Sequence, residues 1–145
     1  MRLKWVSLAA TGVLVVVVVG FFLRHELFAT GPAAIAVQAL AVLLMVWARL
    51  SFGLRSFHAG ANPTGGGLVT KGPYHFLRHP IYAAILLFLW AGFTSHASAL
   101  TACATLVASA ALAVRMFTEE RLMVERYPEY REYAARTKRV IPFLL

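Results

Sequence analysis

The chain has 145 residues, 60% of them hydrophobic and 14% charged, with a mean hydropathy of +0.71. One domain fits that length, and a soluble domain this small could not hide so much apolar surface, so a bilayer is the natural solvent for the excess. The formal charge of +8 does not point to nucleic acid, because the basic residues flank apolar runs and suit an anionic cytosolic leaflet instead.

Four apolar runs follow in chain order. The first covers residues 5–23, and at 1.5 Å per residue it reaches about 28 Å, enough to cross a bilayer core. Arg2 and Lys4 precede it in the manner of a leader, but the run is long for one and further spans follow. A retained first span is expected. The second run covers 33–52, opened by Gly31-Pro32 and closed near Arg49, whose head can reach the interface. Residues 53–71, with Asn62-Pro63 and three successive glycines at 65–67, read as a loop. The glycines lack the spacing and the Lys-Ser/Thr of a phosphate-binding loop. The third run, 79–94, is short if Pro80 opens the helix, at about 22 Å. The fourth, 97–117, is long enough to cross, and the tight connection at Ser95-His96 makes the third and fourth helices antiparallel partners.

With four spans, Arg2, Lys4, Arg49, Arg55, Lys71, Arg78 and the arginines and lysine from Arg115 to Arg139 fall on one side, and Arg24 on the other. The positive-inside rule then places both termini in the cytosol of a multi-pass protein, in the inner membrane for a bacterium. The expected fold is all-α, a single membrane domain over 1–145 with four transmembrane helices and a cytosolic tail, 118–145, whose helix lies over the site.

The hairpin makes a geometric prediction. His79, Tyr82, Glu119 and Glu120 should meet at one cytosolic depth. His79 is a cap, Pro80 the first helical residue, and Tyr82 lies three positions on along the same face. A helix N-terminus beside Arg78 favours an anion. Each of these residues also has a plainer reading. A His or Tyr near an interface is often only an interfacial group, and Glu119 can simply pair with Arg115. Tyr127, Tyr130 and Tyr133 are more polar-tipped aromatics than a solvated juxtamembrane helix needs. Cys103 is the one cysteine, so no internal disulfide forms. His25, His58, His75 and His96 have no metal-ligand spacing, and no metal is expected. Serine-nucleophile, HExxH and GxGxxG motifs are absent.

The segment Leu68-Val69-Thr70-Lys71-Gly72-Pro73-Tyr74, followed by Arg78-His79-Pro80-Ile81-Tyr82, resembles the "LVTxGPYxxxRHPxYxG" signature of the isoprenylcysteine carboxyl methyltransferase family. Glu119-Glu120-Arg121-Leu122, with Tyr130, Tyr133, Arg136 and Ile141-Pro142, resembles that family's tail, and phospholipid N-methyltransferases look like a related branch. The likeness covers residues 68–145. It departs at Ala84, where the family has Gly, and at Tyr127-Pro128, where it has Phe-Gly. The resemblance implies an integral membrane enzyme that uses S-adenosylmethionine without a Rossmann fold. It nominates Gly72, Tyr74, Arg78, His79, Tyr82, Glu119 and Glu120 for cofactor contacts. It implies catalytic roles for Arg136, clamping a substrate carboxylate, and for Glu120, beside the cofactor. The acceptor stays open between a carboxylate, which is ionised at pH 7 because its pKa is about 4, and an amine, which needs Glu119, Glu120 or His79 as base. A lipid-like or prenyl-cysteine substrate would enter from the bilayer. An NADPH-dependent membrane reductase and a non-enzymatic scaffold are the alternative classes.

Overall fold

A computed structural model describes residues 2–53 and 68–141. It holds α1 (Arg2–Leu23), α2 (Pro32–Phe52), a single 3-10 turn (Gly72–His75), α3 (Pro80–Ser95), α4 (Ala99–Arg126) and α5 (Tyr130–Arg136). The described residues contain no strand, only one isolated parallel bridge between Leu77 and Lys138. The expected triple glycine, His58, Arg55 and Pro142 lie outside the described residues.

Local chemistry accounts for the helix ends. Pro32 and Pro80 each occupy a first-turn position, where a missing N–H costs nothing. Gly53 closes α2 at φ +70°, a conformation that favours glycine. Ser98 opens α4 through a capping box, its Oγ accepting from Thr101 N at 3.1 Å while Ser98 N donates to Thr101 Oγ1 at 2.9 Å.

Three helices, α1, α2 and α4, are long and apolar enough to cross a membrane. The sixteen residues of α3 are apolar but reach only about 24 Å, short of the core thickness. α4 continues unbroken to Arg126 instead of ending near 117, which places Glu119 and Glu120 on the helix and not beyond it. Leu50, Val16, Leu23 and Leu43 lie exposed on the outer surface, as suits an apolar solvent.

The expected α3–α4 hairpin is in contact, but it is not the main packing interface. α1 packs chiefly on α4 and α2 chiefly on α3, whereas α3 and α4 touch over a smaller area. The reason is that small residues allow close approach on those other faces. Ser7 and Ala10 of α1 are buried, as are Ala108, Ala111 and Leu112 of α4. Phe21, Leu89 and Ala108 form the apolar centre, joined by Leu14, Val17, Val18 and Ile85.

Gln38 binds the α1–α2 connection to α3. Its Nε2 donates to Leu27 O at 2.9 Å and Phe88 O at 3.1 Å, and its Oε1 accepts from Ala29 N at 2.9 Å. These bonds meet backbone groups that an apolar solvent cannot satisfy. At the same end Thr30 N donates to Ser95 Oγ and His96 Nε2 to Phe28 O. Gly92 permits the approach, since a Cβ there would lie 2.8 Å from Leu27 O and 3.4 Å from Gln38 Nε2. Gly92→Ala is therefore expected to lower stability by about 1–3 kcal/mol, the cost of overpacking. Thermal unfolding in detergent checks this, with Gly12→Ala as the control, because nothing lies within 4 Å of a Cβ there.

Candidate active site

The opposite end of the bundle gathers the start of α3, the C-terminal end of α4 and the tail. His79 precedes Pro80 and has non-helical φ/ψ, so its side chain stands at the mouth of α3. Tyr82, three residues on, stacks on the His79 ring at 5.4 Å and 6°. α4 supplies two adjacent carboxylates, which splay to different partners because successive helical residues point about 100° apart.

Glu119 faces the start of α3. Tyr82 OH donates to Glu119 Oε1 at 2.5 Å. Arg115, one turn earlier on α4, donates from Nε to Tyr82 OH at 2.9 Å and from Nη2 to Glu119 Oε1 at 3.1 Å. Its Nη1 donates to Thr11 Oγ1 of α1. Arg115 is 7% exposed, and the guanidinium also lies over the Tyr82 ring at 5.5 Å.

Glu120 faces the tail. Arg78 donates from Nε to its Oε1 at 2.8 Å, and Arg139 from Nε to its Oε2 at 3.1 Å. Arg139 lies over the Phe117 ring at 5.3 Å. Arg78 also reaches the end of α5, donating from Nη1 to Ala134 O at 2.5 Å and Thr137 O at 2.6 Å. It therefore caps the carbonyls that α5 leaves open at its C-terminus.

The backbone strengthens this attachment. Arg78 N donates to Lys138 O, His79 N to Arg139 O, and Lys138 N to Phe76 O, at 2.7, 2.9 and 3.0 Å. Tyr133 OH donates to Tyr74 O at 2.7 Å. Burial raises the Tyr133 phenol to about 12 against the opposing pull of Arg78, so it stays a protonated donor at neutral pH.

His79 sits between the two carboxylates. Its Nδ1 is 3.8 Å from Glu119 Oε2 and its Nε2 is 3.4 Å from Glu120 Oε1. The Nε2 contact is not aligned as a hydrogen bond. Among the described residues, Nε2 is a buried side-chain polar atom without a hydrogen-bonding partner, on a side chain 9% exposed. A buried nitrogen left unpaired costs about 1–3 kcal/mol. A group of this kind calls for a partner such as an ordered water, an ion or a ligand.

His79, Tyr82, Glu119, Glu120 and Arg78 thus come together from segments far apart in sequence. Gly72 and Tyr74 lie against the end of α2. Gly72 has φ +60°, and a Cβ there would collide with Ser51 Oγ. The Tyr74 ring packs on Phe52 at 5.4 Å. Arg136 is exposed in the last turn of α5 and forms no ion pair among the described residues. Arg115, Arg139 and Thr11 were not nominated from the sequence. The i,i+4 spacing of Arg115 and Glu119 was a legible signal for the first. Nothing in the sequence distinguishes Thr11. Among the described residues, no group of three or more His, Cys, Asp or Glu side chains is placed to hold a metal ion.

Comparison with known proteins adds a family. A family model described as phospholipid methyltransferase matches residues 27–130. Over 78 residues the chain is 38% identical to the cobalt-zinc-cadmium resistance protein CzcN of Cupriavidus metallidurans, a match covering 53% of this chain and 36% of that protein's length. No solved structure matches the chain.

Proposed function

The chain belongs to the phospholipid methyltransferase family, and from that premise we propose an integral membrane enzyme that transfers a methyl group from S-adenosylmethionine to a lipid-like acceptor. The reading places four crossings in one domain, α3 being the short one, with both termini cytosolic and the catalytic half at 68–145. Support for that topology comes from Arg2, Lys4, Lys71 and the tail arginines, which share one end of the bundle, and from Arg24, which sits at the other.

The residues fit such a methyl donor. The donor is a zwitterion with an added sulfonium charge, and the site offers an unpaired buried imidazole nitrogen beside two carboxylates at a helix mouth. His79, Tyr82, Glu119 and Glu120 would hold it, with Gly72 and Tyr74 at the rim and Arg78 fixing Glu120. When bound, S-adenosylmethionine supplies a methyl group made electrophilic by its sulfonium. The protein's part is to orient the acceptor and exclude water.

The acceptor is either a prenyl-cysteine-type carboxylate, held by Arg136, or a phosphatidylethanolamine-type amine. His79 Nε2 is the observation that favours the amine. An amine sheds a proton as it gains a methyl group, and the His79 imidazole, 3.4 Å from Glu120 Oε1, is placed to take it or relay it to that carboxylate. A carboxylate acceptor instead needs a cation; Arg78, Arg115 and Arg139 already engage Glu119 and Glu120, which leaves Arg136 at the exposed end of α5 for that role.

Methyl-labelled S-adenosylmethionine, the detergent-purified chain and a panel of prenyl-cysteine and phosphatidylethanolamine lipids provide the test. We expect label in a base-stable lipid amine. Label released as methanol by base would identify a carboxyl methyl ester and return the assignment to Arg136. Calorimetric titration showing heat with NADPH and none with S-adenosylmethionine would instead support a reductase, and heat with neither would support a scaffold.

A further inference from the structure

α1 lies outside the residues that the family model matches, yet it enters the candidate site through one side chain. The Thr11 hydroxyl donates its proton to Ser7 O at 2.8 Å. Its lone pair is thereby turned to accept from Arg115 Nη1. Thr11 is half-buried and Ser7 fully buried against α4.

Arg115 then has a fixed partner on each of its three nitrogens: Thr11 on Nη1, Tyr82 on Nε and Glu119 on Nη2. A guanidinium is planar, so holding one edge sets the direction of the others. Because Tyr82 OH accepts from Arg115, its own proton is committed to Glu119. The same Tyr82 ring lies flat on His79. A continuous chain of contacts therefore runs from α1 to the imidazole. An arginine at this depth is costly unless its orientation is held by protein.

We infer that Thr11 is a positioning residue: by seating Arg115 it aligns the Tyr82–Glu119 pair for the methyl donor, so the first helix is part of the site and more than a membrane anchor. The inference rests on the methyltransferase reading for its chemistry, but the link from Thr11 to Arg115 can be read without it.

Thr11→Val keeps the shape and removes the acceptor, and Thr11→Ser keeps the acceptor. The KM for S-adenosylmethionine is expected to rise about tenfold in Thr11→Val, the effect of losing a hydrogen bond to a charged group. The KM for the lipid should not change, and Thr11→Ser should behave as the natural chain. A purely structural role would lower the active fraction and leave that KM unchanged, so an unchanged KM overturns the inference. Equal impairment in Thr11→Ser and Thr11→Val overturns it as well. A second readout is hydrogen exchange at the Arg115 Nε–H, followed by NMR in detergent and assigned by its absence in Arg115→Lys. Exchange should speed up about tenfold in Thr11→Val, matching the lost bond, and unchanged exchange overturns the inference. If the natural chain binds no S-adenosylmethionine, the methyltransferase reading fails, and the exchange measurement still decides the role of Thr11.

Discussion

Glu120→Gln is expected to cost both the fold and the activity. Glu120 is the junction where α4, the mouth of α3 and the tail meet. It takes Arg78 Nε at 2.8 Å and Arg139 Nε at 3.1 Å, and only 14% of its side chain is exposed. Arg78 is 8% exposed. The neutral amide would leave that guanidinium in an apolar setting without its counter-charge. Breaking a buried pair from one side costs about 3–5 kcal/mol. The lower end, about 3 kcal/mol, applies here because the carboxylate and Arg139 still meet solvent and Arg78 keeps its two carbonyl acceptors. The tail bound through Arg78 and Arg139 should loosen with it. S-adenosylmethionine affinity should then fall by on the order of a hundredfold. Thermal unfolding in detergent and calorimetric titration measure the two effects. A variant with unchanged melting and binding would show that Glu120 is an ordinary surface carboxylate.

His79→Phe should separate what Glu120→Gln couples. Phe keeps a flat ring for the stack on Tyr82 and removes the unpaired Nε2. Phe also removes the ring's contacts with Glu119 and Glu120 at 3.8 and 3.4 Å, neither of them aligned as a hydrogen bond, so stability should change by no more than about 1 kcal/mol. Methyl transfer should fall by about 10²–10⁴, the usual contribution of a general base. The comparison decides the role of His79. If melting falls as far as in Glu120→Gln, the imidazole is a structural member of the ion-pair network. If activity persists in His79→Phe with a phosphatidylethanolamine substrate, the proton goes elsewhere and His79 is not the base.

The site was legible in part. His79, Tyr82, Glu119 and Glu120 could be placed at one depth because helix length converts sequence distance into height. Helix length does not tell which side chains pair with which. Arg78 holds Glu120 and the end of α5, a pairing that helix length does not reveal. Arg139 looked like one more tail charge, yet it completes the second edge of Glu120. Arg136, nominated for a substrate carboxylate, stands exposed at the end of α5. In a tail that alternates charge, position alone does not tell which arginine turns inward, because that depends on how the backbone from Thr137 to Arg139 pairs with the segment from Phe76 to His79.

The apolar runs, the helix starts at Pro32 and Pro80 and the shortness of the third helix are legible in the residues alone. Those are local properties. Each membrane-length helix satisfies its own backbone hydrogen bonds, so hydropathy and proline position suffice to find it. The packing of α1 on α4 and of α2 on α3 is not legible that way. Helices that are apolar all round carry no stripe to announce a partner, and their contacts are chosen by close packing of small residues such as Ser7, Ala10 and Ala108. That choice brings Thr11 to Arg115 and leaves the His79 nitrogen unpaired. Both are properties of contacts between distant segments.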